Sequence, residues 1–383
     1  MSFFFYYNMQ VQLKSRNNLS YNSKMKIAID CRMIGSGGIG SYISALLPYF
    51  IKENECLLFG TKEQLEKFSG KENTEVFYYD EKCFSLKEII KFPKKLLSKI
   101  NACDVFYTPY CNIPGGIKIP VFSTIHDVVF LDVPGLASKT GTFIRKLFYL
   151  RACRKSRIIF TVSNFSADRI KYHLHTKTPV VCTYNALPDW FLEKDSSSDA
   201  ENTSSKSPLA TNCILFVGNI KKHKGLSTLI EAYAQAKEEG LKSKLLLVGN
   251  KNNFRTSDDS IFEKIGSLPE DSVSFTGKIN ETELKNIYKS AKVLVQPSLY
   301  EGFGMPPLEA MSLGTPVIMS DIPVFKEIYR DFPVTFFKTG DSRDLCSKLL
   351  EFENKKQDTL KLPDIYSFEK TYKIIKNTLE TSK

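Results

Sequence analysis

The chain has 383 residues, 42% of them hydrophobic and 12% aromatic, and it carries a net charge of +11 with a pI near 9.0. That is material for two cores rather than one, and ordinary Gly and Pro content excludes collagen-like and wholesale disordered classes. The positive excess suits polyanions, anionic membranes or phosphorylated substrates; no nucleic-acid-binding motif accompanies it, so no nucleic-acid partner is expected.

In chain order, residues 1–24 open on "MSFFFYYNMQ", an aromatic patch without a preceding basic residue or a following small-residue cleavage site. They read as a loosely ordered extension rather than a signal peptide, with Met25 a candidate start. From Lys26 short strand-like runs alternate with helical ones: "KIAID" (26–30), "VFSTIHD" (121–127), "SRIIFTVS" (156–163) and "PVVCTYN" (179–185), with "SYISALLPYFIKEN" and "GTFIRKLFYLRACRKS" between them. Residues 193–212, "EKDSSSDAENTSSKSPLATN", are too polar to bury a core and read as a linker.

The alternation then restarts with "CILFVGN" (213–219), a helix "GLSTLIEAYAQAKEEG", "SKLLLVGN" (243–250), "VSFTG" (273–277), a helix at 280–291, "KVLVQPS" (292–298) and "PVIMSD" (316–321). Strands separated by helices imply parallel sheets covered on both faces. The expected architecture is α/β: two Rossmann-like doubly wound domains, 25–192 and 213–365, facing each other across a cleft at the carboxyl ends of their strands. A C-terminal helix within 366–383 could return to the first domain.

Nine cysteines occur singly, without CxxC or zinc spacing, which reads as reduced, mostly buried thiols in a cytoplasmic protein with neither metal nor cofactor. No apolar run reaches about 18 residues, so nothing is expected to span a membrane. Histidines 173 and 175 fall in a polar segment and read as surface residues.

Four constellations carry chemistry. "GSGGIG" (35–40) puts Gly37, Gly38 and Gly40 between the first strand and a helix, where backbone N–H groups can meet an anion; a tight connection without ligand is the alternative. "STIHDVV" places His126 and Asp127 at a strand end, hence at the cleft mouth. "FVGNIKKHKG" gathers Lys221, Lys222, His223 and Lys224 before a helix, and Lys224, beside Gly225, is best placed to neutralise a diphosphate leaving group.

The fourth is "QPSLYEGFGMPPLEAMSLGTPVIMSD" (296–321), read as strand end, glycine loop and helix, with Pro306 or Pro307 in the first turn and Gly314 as the stop. Amides of Gly302, Phe303, Gly304 and Met305 would face a diphosphate. Glu301 would accept from hydroxyls in the cleft, and Glu309, about one turn deeper, would grip a vicinal diol as the acidic residue of dinucleotide folds grips ribose. A ligand with phosphates in its middle and diols at both ends is a nucleotide sugar. The alternative is that Glu309 complements the helix dipole and Glu301 is a solvated loop charge.

Taken together these elements resemble family 4 of the retaining glycosyltransferases, which has the two-domain GT-B fold. The match is "EGFGMPPLEAMSLGTPVI", the E-x7-E motif carried by Glu301 and Glu309, with "VGNIKKHKG", "FTGKINETELKNIYKSA", "TVSNFSADRI" and "GSGGIG", over about residues 25–370. The resemblance implies that Glu301 holds donor-sugar hydroxyls and Glu309 the ribose. It implies that amides near Phe303 and Gly304 seat sugar and phosphate, and that Lys224 binds the diphosphate. It places His126 near the anomeric centre, Gly37 to Gly40 over the phosphates, and backbone at Lys278 and Ile279 against the base. Where many members have Arg, this chain has Asn219; either Lys221 or Lys222 substitutes, or that contact is weaker.

The resemblance further implies metal-independent, retaining hexosyl transfer in lipopolysaccharide, O-antigen or other surface-polysaccharide assembly, with GDP-mannose the leading donor. The acceptor would be a glycan or a polyprenyl-linked glycan. His126, Glu301 and Lys224 would be catalytic, with no protein general base required. Basic stretches 91–99 and 145–157, interleaved with Phe and Leu, could rest on an anionic bilayer at the inner face of the cytoplasmic membrane. The rival functions are a GT-B sugar-nucleotide epimerase, a glycan phosphorylase, and a non-catalytic nucleotide-sugar-binding subunit.

Overall fold

The computed structural model describes residues 24–192, 211–219, 221–249, 259–352, 363 and 366–382. Nearly all of the expected extension (1–24) and linker (193–212) lies outside them. The first sheet holds β1 (Lys26–Asp30), β2 (Glu55–Gly60), β3 (Thr74–Tyr78), β4 (Val105–Thr108), β5 (Val121–Thr124), β6 (Ser156–Thr161) and β7 (Val180–Cys182), in the order β3-β2-β1-β4-β5-β6-β7. The second holds β8 (Cys213–Val217), β9 (Lys244–Val248), β10 (Val273–Phe275), β11 (Val293–Gln296), β12 (Val317–Ser320) and β13 (Thr335–Phe337), in the order β10-β9-β8-β11-β12-β13.

Every ladder between these strands is parallel. Such strands are covered on both faces, which is why β4, β5, β11 and β12 are buried throughout. In each sheet the order reverses beside the first strand, between β1 and β4 and between β8 and β11. That is where loops diverge at the carboxyl edge and leave room for a ligand.

The helices that matter below are α1 (Gly37–Glu53), α2 (Lys139–Lys155), α3 (Asn164–Leu174), α4 (Leu226–Glu238), α5 (Glu281–Ser290), α6 (Met305–Ser312), α7 (Pro323–Tyr329) and α8 (Phe368–Thr381). Their starts follow local chemistry. Asn280 and Glu283 form a reciprocal capping box on α5, and the Ser163 hydroxyl accepts from Ser166 N at the head of α3. Gly304, at φ 89°, turns the chain into α6, whose first turn holds Pro306 and Pro307; Gly314, at φ 79°, stops it.

The two halves share one apolar core. Ile27, Ile29 and Tyr107 of the first belong to the same packed cluster as Leu215, Leu308 and Phe325 of the second. Helix α8 follows the second domain in sequence and lies on α1 of the first. There Tyr372 stacks on Tyr49, meets the Phe50 ring edge-on and accepts from Asn54 Nδ2 at 2.8 Å. Lys376 pairs with Glu53 at 2.6 Å, and Thr371 donates to the Thr183 carbonyl at 3.0 Å.

All nine cysteines are free thiols, seven of them buried. His173 departs from its reading as a surface residue: its Nε2 sits 2.6 Å from Asp132, which also takes a fork from Arg169. Removing the Tyr372 ring would leave a cavity and take one of the two acceptors of Asn54 Nδ2, the Phe50 carbonyl remaining. Tyr372→Ala is expected to cost about 3–5 kcal/mol in urea-induced unfolding, whereas Tyr372→Phe, which keeps the ring, costs about 1 kcal/mol.

Candidate functional site

Loops after adjacent strands meet at the carboxyl edge of a parallel sheet, and β8 and β11 are adjacent. The loop after β8 ends in a tight turn, Lys222–Lys224, closed by Gly225 at φ 67°. A Cβ on Gly225 would stand 1.9 Å from the Pro297 carbonyl, so only glycine lets these two loops approach so closely. The approach brings Lys224 Nζ to 2.8 Å from both carboxylate oxygens of Glu301. Glu301 Oε1 also accepts from Ser298 Oγ at 2.8 Å and from Gln296 Nε2 at 3.3 Å.

The pair is largely out of water, with side-chain exposures of 21% for Lys224 and 9% for Glu301. Buried carboxylates persist only when they are matched in this way. His223, the neighbour of Lys224, is buried with Nδ1 unpartnered, and its carbonyl holds Leu299 N at 2.8 Å. Lys221, Lys222 and Asn219 are exposed. The Asn219 carbonyl accepts from Lys221 N at 3.0 Å.

After Glu301 the backbone carries the chemistry. The Phe303 ring is buried against Tyr329 and Tyr366, so only its amide is on offer. Among the described residues no acceptor meets the N–H groups of Gly302, Phe303, Gly304 or Met305. They form a run of free donors ahead of α6, at the positive end of its dipole. Gly304 needs both its positive φ and its lack of a side chain, because a Cβ would meet the Phe325 ring at 2.4 Å.

Glu309 sits one turn into α6. Its Oε2 accepts from the Tyr288 hydroxyl of α5 at 2.6 Å, and no second donor among the described residues meets Oε1. Burial pushes its carboxyl up, against the lowering effect of the Tyr288 bond. Lys278, after β10, is exposed, and Ile279 packs on the core.

From the first domain His126 and Asp127 come up against this loop. A Cβ on Gly302 would meet the His126 carbonyl at 3.0 Å and Asp127 Oδ2 at 3.2 Å. His126 Nε2 donates to the Pro109 carbonyl at 2.9 Å, which leaves Nδ1 with the lone pair, and its ring stands edge-on to Tyr42. Burial raises the Asp127 carboxyl, and the nearby Glu301 raises it further while Lys224 and Lys221 oppose.

The glycine turn divides by role. Gly40 is buried, and its Cβ would meet Met33 O at 2.4 Å; Gly37 takes φ 58°; Gly38 has open space around it. Gly37 and Gly38 are exposed at the start of α1, which has no side-chain cap. Beneath them Arg32 is held by two buried carboxylates, Asp30 (2.6 Å) and Glu88, with Tyr110 donating to Asp30 at 2.7 Å.

The structure thus brings together Lys224, Glu301, the 302–305 amides and His126, while Glu309 stands behind them on α6. Tyr288, Ser298, Gln296 and Asp127 complete the arrangement. Of these only Asp127 had a local signal, its position beside His126 at a strand end.

Residues 197–366 match the family described as "Glycosyl transferases group 1". The chain is 30% identical over 217 residues to an uncharacterized glycosyltransferase, MJ1607, of Methanocaldococcus jannaschii (56% of this chain, 54% of that protein). It is 26% identical over 231 residues to O-antigen chain mannosyltransferase B of Escherichia coli (59% of each). It is 27% identical over 263 residues to O-antigen chain mannosyltransferase RfbU of Salmonella typhimurium (66% of this chain, 64% of that protein). The matches therefore span roughly half to two-thirds of these relatives' lengths.

Among solved structures, Anabaena Alr3699/HepE in complex with UDP-glucose superposes with a TM-score of 0.70 at 19% identity, covering 93% of this chain and all of that one. Sucrose-phosphate synthase of Thermosynechococcus elongatus gives 0.65 at 16%, covering 93% and 94%. The fold is GT-B.

Burial pulls His126 from the ordinary 6.5 to about 4, against the raising effect of its bond to Pro109. Burial, then Lys224, does the same to His223. The unfolded chain therefore takes up protons more readily between these values. The stability that these two neutral imidazoles contribute is full above pH 6.5 and is lost as pH falls towards 4. Thermal unfolding followed across that window should show the loss, and His126→Leu should make it smaller.

Proposed function

We propose that the protein is a retaining hexosyltransferase that moves mannose from GDP-mannose to a glycan or polyprenyl-linked glycan in O-antigen or related surface-polysaccharide assembly. The observation that carries this reading is the contact of Lys224 with Glu301 beside the free amides of residues 302–305. A diphosphate needs cations and N–H donors, a sugar needs hydroxyl acceptors, and here the two sets share one cleft edge. Mannose is favoured over the UDP-glucose held by the structural neighbour because the relatives above, at 26–27% identity, are O-antigen mannosyltransferases.

In this reading Lys224 leaves Glu301 for the diphosphate as the donor enters, and Glu301 turns to the sugar hydroxyls. The free Oε1 of Glu309, whose Oε2 Tyr288 holds, accepts from the ribose diol. Gly37, Gly38 and the start of α1 cover the phosphates from the first domain. The neutral His126 lines the anomeric side, and backbone at Lys278 and Ile279 meets the base. Lys221 or Lys222 stands in for the missing cation at Asn219.

The acceptor hydroxyl attacks C1 on the face from which the nucleoside diphosphate departs. The C1–O bond to phosphate breaks, the new C1–O bond forms on that same face, and the departing phosphate oxygen takes the hydroxyl proton. Lys224 and the amides meet the charge that develops, a role that requires no metal.

Peripheral contact with the inner face of the cytoplasmic membrane belongs to the same proposal. Among the described residues no helix is long and apolar enough to cross a bilayer. The first half of α2 instead exposes Phe143, Ile144 and Leu147 (60%, 46% and 49%) among Lys139, Arg145 and Lys146. The expected stretch 145–157 is only partly available, because Phe148, Tyr149, Ala152 and Cys153 are buried. In flotation with anionic vesicles, wild type should bind in a salt-sensitive way, and Phe143→Ser/Leu147→Ser should bind about tenfold more weakly.

Calorimetry with GDP, UDP and dTDP in EDTA-containing buffer tests the donor reading. Wild type is expected to bind GDP most tightly, and Glu309→Ala at least about tenfold more weakly, the size of a lost pair of ribose hydrogen bonds. Equal binding by the variant, or preference for another nucleotide, would overturn the ribose role or the choice of base respectively.

A further inference from the structure

We propose that Ser163, Ser166 and Glu327 form a clasp between the domains that orients the 302–303 peptide and so makes nucleotide binding depend on domain contact. The proposal rests on the donor reading above and extends it to residues outside the site itself.

The Ser163 hydroxyl donates to the Gly302 carbonyl at 2.6 Å while accepting from Ser166 N at 3.0 Å. The Ser166 hydroxyl donates to the same carbonyl at 3.2 Å. Both serines are fully buried, and both belong to the first domain at the head of α3. In a planar trans peptide C=O and N–H point opposite ways. Pinning the Gly302 oxygen to α3 therefore turns the Phe303 N–H away from α3, and that amide is one of the run that meets no protein acceptor. On its other side Gly302 lies against His126 and Asp127, so the peptide is wedged between two first-domain elements.

The return contact comes from the second domain. Glu327 of α7 accepts from Asn164 N and Phe165 N, both at 2.7 Å, and from Asn164 Nδ2 at 3.1 Å. A helix leaves its first amides without partners inside itself. Here those of residues 164 and 165 are taken by a carboxylate of the other domain, where the helix dipole favours negative charge. The Phe165 and Tyr300 rings pack beside this contact at 5.6 Å.

Separating the domains would break both halves of the clasp at once and free the 302–303 peptide to rotate. Linkage is reciprocal: if domain contact presents the amide to phosphate, phosphate on the amide favours domain contact. These three are positioning residues; none touches the ligand.

The test compares wild type with Ser163→Ala/Ser166→Ala and with Glu327→Gln. Glu327→Gln keeps the side-chain size and serves should the double variant fail to fold. Small-angle X-ray scattering of ligand-free protein, well below each melting temperature, reads domain contact; calorimetry with GDP and UDP reads the loop. Both variants are expected to have a larger radius of gyration than wild type. Each should bind the nucleotide that wild type binds at least about tenfold more weakly. A lowered melting temperature with unchanged scattering would mean a merely structural role and overturn the clasp, as would unchanged nucleotide affinity. If wild type binds neither nucleotide, the donor reading falls alone, and the scattering comparison still decides the clasp.

Discussion

Everything at the cleft depends on Glu301 being tolerable where it is. A carboxylate with 9% of its side chain in water must be matched by an opposite charge and hydrogen bonds. The match is Lys224, which arrives only because β8 and β11 are neighbours at the reversal of strand order. Gly225 lets the two loops touch, and Ser298 fixes the carboxylate plane. One ion pair thus explains a glycine, a serine and a strand order. It also explains how a segment bearing two glutamates can supply a phosphate-type amide run, since one charge is cancelled locally and the other, Glu309, sits one turn into α6 and is held by Tyr288.

The imidazoles bear on the same balance. His223 adjoins the pair, His126 comes up against Gly302 from the other domain, and desolvation holds both neutral. Protonated, His223 would put a second cation beside Lys224 in a low-dielectric site. Kept neutral, His126 has one N–H, which it donates to the Pro109 carbonyl, and its ring stands edge-on to Tyr42.

Much of this was legible in the sequence. The runs "CILFVGN" and "SKLLLVGN" are continuous apolar stretches that end on glycine, and the "EGFGMPPLEAM" loop announces strand end, amide run and helix start within eleven residues. Signals of that kind are local. Strands β2, β3, β4 and β13 were not singled out: β2 follows α1 after a single residue, β3 is a half-exposed edge, and β4 and β13 are short. The partners that complete the site were illegible for a different reason. Tyr288 finds Glu309 across 21 residues, Ser163 finds Gly302 across 139, and Glu327 finds Asn164 across 163. Nothing in a hydrophobic period records which distant loops the topology will press together. The basic stretch on α2 misled in the opposite sense, since its composition was visible but the division of its faces was not.

Helix α8 has a consequence for how the protein is made. The surface of α1 that it covers, with Tyr49, Phe50 and Asn54, belongs to a domain translated before the whole second sheet. On the ribosome the first domain must therefore wait through the synthesis of roughly 200 residues with that apolar strip bare, on the order of ten seconds or more at ordinary elongation rates. The nascent chain is left with a surface that a chaperone, or a neighbouring nascent copy on the same messenger, can occupy first.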